Sequence, residues 1–404
     1  VESNFPFFAN DSIKEDVSAL IADLNNDKKN DLFIATGGGD FYNKMKPLQD
    51  SYYTQNSDGS FTSNQLPDYF ENASVVKACD FDNDGDLDLF VGGYAITNDF
   101  GKIPNSYILV NNKGTFSIAD SDYQMGMVTD AVWEDFDGDG SKDLIVVGEW
   151  MSPKFYKNTN GKFIETTKTN NLNGLWQSIE PFDIDNDGDT DYLLGNWGMN
   201  TKFKASENYP MLMYYSDFDG NGQTETIVCT AKDELYYPIL GLDELSSQLV
   251  FLKKKFNSYS AFAGQSITSV LDEKMIENAE KLQVHTLQSG YLENDKGNFK
   301  FVPFINELQV APITSFLKYD FDGDNKDEVL ASGNYFGVTP YHGRLDAFSG
   351  ALIKNSKSIA LGTQLGMNLS NKAVKKVNVI HFKDQPYLLV TFNNNKAEVY
   401  SIIN

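Results

Sequence analysis

Six times along the 404-residue chain, a short strand-like run meets an acidic loop and passes into a second apolar, β-branched run. SALIA precedes Asp23, SVVKAC precedes Asp80, TDAVWE precedes Asp135 and ITSFLKY precedes Asp320. Their alternation of apolar and polar positions predicts strands, as do the runs that follow, such as DLFVGG. A second pattern comes later in the unit, an aromatic, an Asn-rich turn, a Gly and a Phe. It appears as YYTQNSDGSF (52–61), YILVNNKGTF (107–116), FYKNTNGKF (155–163) and YLENDKGNF (291–299). It predicts a hairpin. One unit therefore reads strand, acidic loop, strand, connection, strand, Gly turn, strand. Four antiparallel strands in this order make one blade of a β-propeller.

Spacing sets the predicted blade count. The loops begin at Asp23, Asp80, Asp135, Asp183, Asp217 and Asp320. The step from 183 to 217 is short for a blade, and the step to 320 is long enough to hold an insertion. Within it, Leu242, Leu245, Leu249, Leu252 and Phe256 fall on one helical face, and SITSVLDEKMIENAEKL (266–282) predicts a second amphipathic helix. The C-terminal VKKVNVIHFKDQPYLLVTFNNNKAEVYSI has the strand pattern without the acidic loop. The expectation is an all-β fold, a seven-bladed β-propeller of four-stranded antiparallel blades in one domain over 1–404. A small α-helical insertion falls at about 240–284, and NFPFF is a candidate closing strand. Six blades plus an irregular C-terminal sheet is the alternative.

Each loop fits D-x-[DN]-x-[DN]-x-x-x-[DE]. Side chains at positions 1, 3, 5 and 9 carry oxygens, and position 7 can add a backbone carbonyl. The predicted ligands are Asp23, Asn25, Asp27 and Asp31 in the first loop, and Asp80, Asp82, Asp84, Asp86 and Asp88 in the second. The third supplies Asp135, Asp137, Asp139, Ser141 and Asp143, and the fourth Asp183, Asp185, Asp187, Asp189 and Asp191. The fifth supplies Asp217, Asp219, Asn221, Gln223 and Glu225, and the sixth Asp320, Asp322, Asp324, Lys326 and Glu328. Position 6 is Gly85, Gly140, Gly188 or Gly222 in the fuller loops, where a tight turn wants positive φ. Hard carboxylate and carbonyl oxygens in a flexible ring suit Ca²⁺ better than Mg²⁺ or a transition metal. Position 12 is apolar (Val91, Val146, Leu194), so the loops are not EF-hands. Up to six Ca²⁺ sites are expected, the Asp23 loop being weakest because Lys28 takes the Gly slot and Asn25 is neutral.

Charge supports this reading. The formal net charge is −24, which six calcium ions would halve. Such a surface repels phosphate backbones and anionic membranes, so nucleic acid and lipid headgroups are poor partners. No apolar run is long enough for a membrane-spanning helix. The start VESNFPFF carries no signal peptide and is consistent with a trimmed mature end. Cys79 and Cys229 lie in strand-like runs and read as two small buried residues, with pairing left open.

These motifs resemble the FG-GAP or VCBS-repeat β-propellers, which share their calcium-loop logic with integrin α subunits. VTDAVWEDFDGDGSKDLIVVGEW, DYLLGNWGMNTKFKAS and SGNYFGVTPYHGRLDA look most like the bacterial relatives of cartilage acidic protein. The resemblance covers most of 16–404 and implies a seven-bladed, calcium-bound propeller. It implies an extracellular or cell-surface location, secreted or anchored to an outer membrane, with other domains of a longer surface protein possible. The Phe-Gly…Gly-Ala-Pro signature is poorly kept, since Phe336-Gly337 has no such sequel.

If the calcium loops lie on one face, the connections between strands 2 and 3 lie on the other. Those connections hold Phe41 and Tyr42, Tyr94, Glu149 and Trp150, Asn196 and Trp197, Tyr236 and Tyr237, Asn334 and Tyr335. The ligand-binding candidates are Tyr42, Tyr94, Glu149, Trp150, Asn196, Trp197, Asn334 and Tyr335. Aromatic faces beside amides and acids suit a glycan or a protein partner, although large aromatics also wedge between blades as core. An alternative is a calcium-dependent, lyase-like polysaccharide enzyme using Tyr341, His342 and the chain's sole arginine, Arg344. An Arg344–Asp346 pair fixing a loop is the simpler account of that stretch. A non-enzymatic binding or adhesion module is the favoured reading.

Overall fold

The computed structural model describes residues 11–119, 123–166, 169 and 171–402. The NFPFF segment lies outside them. The strands are β1 (Glu15–Ala22), β2 (Asp31–Gly37), β3 (Ser51–Gln55), β4 (Phe61–Asn64), β5 (Ala73–Cys79), β6 (Asp88–Gly93), β7 (Tyr107–Asn112) and β8 (Thr115–Ile118). They continue as β9 (Met127–Glu134), β10 (Asp143–Met151), β11 (Lys154–Thr159), β12 (Lys162–Thr166), β13 (Gly174–Leu175), β14 (Ser178–Pro181) and β15 (Tyr192–Gly195). Next come β16 (Met211–Ser216), β17 (Glu225–Lys232), β18 (Leu235–Pro238), β19 (Glu280–Val284), β20 (Gly290–Asp295) and β21 (Asn298–Pro303). Last are β22 (Ile313–Tyr319), β23 (Glu328–Gly333), β24 (Ala351–Asn355), β25 (Ser358–Leu361), β26 (Val374–Phe382), β27 (Gln385–Phe392) and β28 (Asn395–Ser401). The predicted strands and hairpins around the acidic loops all form.

The chain divides into two compact units. The first, residues 1–166 and 208–283, contains the antiparallel sheets β1–β4, β5–β8 and β9–β12. Alternate residues of one strand face opposite neighbours, as the two-residue period requires. Leu89 and Val91 of β6 join the core shared with the first sheet, while Phe90 joins that shared with the third. Both faces of β6 are covered, so the strand is apolar throughout after Asp88. The second unit, residues 167–207 and 284–404, repeats this arrangement. Its sheets are β14-β15-β20-β21, β22–β25 and the three-stranded β26–β28. Val329 and Ala331 of β23 face the first of these, and Leu330 the last.

The fifth acidic loop departs from the simple repeat. Its sheet, ordered β18-β17-β16-β19, is nested inside the connection between β15 and β20. Two strands of the preceding sheet lie before it in the chain and two after, and Leu193 pairs with Tyr291 across the gap. The short 183–217 step and the long step to 320 thus have one cause, a sheet interrupted half-way. The helical insertion follows β18 as five short helices between Leu242 and Asn278. Leu245, Leu249, Leu252 and Phe256 are buried as their spacing predicted. The second predicted helix is shorter than its pattern: Asp272 caps Met275 N–H at 2.9 Å, and the segment turns into β19 at Glu280. Cys79 and Cys229 are both unpaired thiols, Cys229 fully buried.

Asp50, between β2 and β3, is buried against Tyr107, whose hydroxyl donates to it, and it accepts the Thr36 N–H at 2.9 Å. Burial pushes its carboxyl up to about 6. A raised folded pKa gives stability that is complete below the unfolded value near 3.8 and is lost as pH rises through 6. Asp50→Asn is therefore expected to be more stable than the parent at pH 8 by about 3 kcal/mol, with the gap closing towards pH 4. Urea melts of both proteins across that range check this, and a pH-independent gap would contradict it.

Candidate functional site

The acidic loops are shaped by their backbone before any ion is considered. Each has two left-handed residues. Position 6 is one, as predicted, including Lys28 (φ 68°) and Asn325 (φ 67°). Position 4 is the other: Asn26, Asn83, Gly138, Asn186, Gly220 and Gly323 all have positive φ. The Asn-or-Gly restriction at position 4 was visible in the sequence and went unused. The chain so wound brings N–H groups 5 and 6 onto the first carboxylate: Asp84 and Gly85 each donate to Asp80 at 3.1 Å. Position 5 accepts from position 7, as Asp84 does from Asp86 at 2.9 Å and Asp324 from Lys326 at 2.8 Å.

What converges is positions 1, 3 and 9. Carboxylate oxygens of Asp80, Asp82 and Asp88 lie within 4.8 Å of one another, and so do those of Asp135, Asp137 and Asp143. The same holds for Asp183, Asp185 and Asp191, for Asp217, Asp219 and Glu225, and for Asp320, Asp322 and Glu328. The position 5 carboxylates Asp84, Asp139, Asp187 and Asp324 are not in these groups, whereas the Asn221 amide donates to Glu225 at 3.3 Å. The position 7 side chains are occupied elsewhere in two loops. Asp86 accepts from Asn26 and from Lys113 N–H at 3.0 Å, and Asp189 accepts from Lys296 N–H at 3.1 Å.

The donor set fits a hard divalent cation. Asp88 Oδ2 and Asp143 Oδ2 are buried and have no hydrogen-bond partner among the described residues. Burial pushes Asp88 up to about 7 and Asp143 and Asp191 to about 6, so ionising them costs more here than in water, a cost that a bound cation offsets. The first loop differs. Asp31 Oδ1 accepts from Gln55 N–H at 2.9 Å, and Oδ2 accepts from Leu24 N–H and the Tyr52 hydroxyl. Asp191 accepts the equivalent two backbone N–H groups, from Ile184 and Asn294, so the Tyr52 hydroxyl is what distinguishes Asp31.

One set of residues was missed. The Asn of the Asn-turn-Gly hairpin is a brace for the loops. Asn158 N–H donates to Asp143 at 2.7 Å, and its side chain donates to the carbonyls of Lys142 and of Phe81 in the preceding sheet's loop. Asn111 makes the same bonds to Asp88, Leu87 and Leu24. Asn294 holds Asp191 and Thr190 in the same way. The recurring Asn was the available signal.

The predicted ligand-facing residues divide. Trp150 is 7% exposed with φ 60°, and Asn196 and Asn334 are buried. Asn196 donates to the carbonyls of Thr286 and Gln288, and Asn334 to those of Phe348, Leu369 and Lys372. Trp150 lies within the last residues of β10, and Asn196 and Asn334 directly follow β15 and β23. In the first unit Tyr42 is exposed, and the Tyr94 hydroxyl donates to Glu149 at 2.9 Å.

In the second unit the remaining candidates meet. Trp197 lies 5.6 Å from Tyr335 and 5.3 Å from Phe203, ring centre to ring centre. His342 stands 4.9 Å from Phe203 and 4.3 Å from Tyr341. Tyr335 is 39% exposed and Tyr341 41%, and Met199, two residues after Trp197, is also exposed. Lys202 ties the two loops together by donating to the Tyr341 carbonyl. Arg344 lies 4.0 Å over the Phe336 ring with its Nε 3.5 Å from Asp346, the loop-fixing arrangement.

Residues 23–91 and 135–194 match the FG-GAP-like repeat. Similar solved structures include the V. cholerae biofilm matrix protein Bap1, with 11% identity over 97% of this chain and 88% of that one and a TM-score of 0.33. BBS1N, from its complex with ARL6DN, has 9% identity over 96% and 92% and a TM-score of 0.37. The Dos1 propeller has 9% identity over 97% of both chains and a TM-score of 0.30. No curated protein matches the chain. No helix among the described residues is long and apolar enough to cross a membrane.

Proposed function

Since the chain is an FG-GAP-repeat β-propeller protein, we propose that it is an extracellular binding or adhesion module. Calcium in the acidic loops holds its sheets, and a glycan docks on the aromatic surface formed by Trp197, Tyr335 and Tyr341. The observation that carries this is the continuous run of rings from Tyr335 through Trp197, Phe203 and His342 to Tyr341, drawn from two separate connections. Pyranose rings present flat C–H faces that stack on such a surface, while Lys202 and Asn200 offer donors to hydroxyls. The Arg344 contacts with Phe336 and Asp346 support the loop-fixing role for this residue. A glycan array, followed by calorimetry on its best hit, tests the proposal. Trp197→Ala and Tyr335→Ala are each expected to weaken binding tenfold or more, with melting temperature little changed. Undiminished binding in both variants would overturn it. A blank array would turn the same surface over to a protein partner.

A further inference from the structure

The residue just before the bracing Asn differs from loop to loop: Val110, Lys157 and Glu293 precede Asn111, Asn158 and Asn294, and Lys354 precedes Asn355 at the matching register of β24. The three charged side chains lie beside their own acidic loops, while Val110 packs against the apolar core. Lys157 Nζ contacts Asp137 and, at 2.9 Å, Asp139. Lys354 Nζ contacts Asp322 at 2.5 Å and Glu328 at 3.6 Å. Glu293 instead lines a cleft with Asp185 and Asp187, its own partner Lys300 being 3.6 Å away and 78% exposed. We propose that this one strand position sets the cation demand of each loop. An ammonium already neutralises the loops of Asp135 and Asp320, which therefore bind calcium weakly. An added carboxylate makes the Asp183 loop the tightest, and the Asp80 loop, with neutral Val110, lies between.

The inference rests on the calcium reading of the loops, for which the unpartnered, buried Asp88 Oδ2 and Asp143 Oδ2 are the independent sign. Two charges a few ångströms apart near a protein surface interact strongly enough to move an affinity by about tenfold. Calorimetric titration of chelator-stripped protein with calcium alone tests it. The parent is expected to show a tight and a weak class of sites. Lys157→Gln and Lys354→Gln should each move one weak site about tenfold tighter, and Glu293→Gln should weaken the tightest. Lys157→Arg, which keeps the charge, should titrate like the parent. Thermal melts give a second readout: without calcium Lys157→Gln should melt below the parent, and with saturating calcium it should not. Unchanged isotherms in all the Gln variants would overturn the tuning role while leaving the metal sites intact. No calcium heat in the parent would overturn the metal reading beneath it.

Discussion

Stripping the protein with EDTA is expected to lower its melting temperature by roughly 10–20 °C, with calcium restoring it and magnesium restoring far less. The position 9 carboxylate is the reason for so large an effect. Asp88, Asp143, Glu225 and Glu328 are each the first residue of β6, β10, β17 or β23. Those strands carry the buried core, with β6, β10 and β23 almost wholly covered. A cation drawing positions 1, 3 and 9 together therefore pins the end of a core strand. Without it, three carboxylates within 4.8 Å repel one another, and a buried oxygen with no partner must take a proton or stay desolvated. A ligand held at a hundred times its dissociation constant stabilises by about 2.7 kcal/mol per site. Several such sites in a chain of this length bring the shift to the stated range. Calcium outranks magnesium because the loop offers flexible oxygens in number, whereas magnesium demands a tight octahedron and keeps its water. Differential scanning calorimetry with chelator, then with each ion added back, measures it. A melting temperature indifferent to EDTA would contradict the clamp.

The loops and their flanking strands were legible in the sequence because local chemistry decides them. Asp, Asn and Gly at fixed offsets leave the backbone few alternatives, and two-residue alternation fixes which face is buried. The nesting of the fifth loop was not legible, since β16 and β17 look locally like any strand pair beside an acidic loop. Only the pairing of Leu193 with Tyr291 reveals that the preceding sheet was still unfinished. The proposed aromatic surface was half legible for a related reason. Sequence shows an aromatic beside an amide, acid or glycine in the connection after each second strand, but burial separates their roles. Asn196 and Asn334 turn inward to hold carbonyls, while Trp197 and Tyr335, one residue later, turn outward and meet. That outcome depends on residues more than 100 positions apart, which no local pattern contains.

Asn334→Ala is expected to cost about 4 kcal/mol or more and to abolish ligand binding through the fold. Asn334 is buried, with φ 80°. Its amide donates to Phe348 O and Leu369 O at 2.9 Å and to Lys372 O at 3.0 Å, while its oxygen accepts the Phe348 N–H at 2.9 Å. Alanine would leave those groups buried without their partner, at roughly 1–3 kcal/mol for each that finds no substitute. It would also force a left-handed backbone on a residue that resists it, at about 1 kcal/mol. Asn334→Gly separates the two costs, relieving the backbone while still losing the bonds, and should melt slightly above Asn334→Ala and well below the parent. The segment from Tyr335 to Gly350 then loses its anchor, so hydrogen exchange should rise across it and carry Tyr335 and Tyr341 out of register with Trp197. Tyr335→Ala is the contrast: its side chain is exposed, so its effect should fall on ligand affinity with the melt nearly unchanged. If Asn334→Ala melted within 2 °C of the parent, the buried amide would not be what positions the aromatic surface.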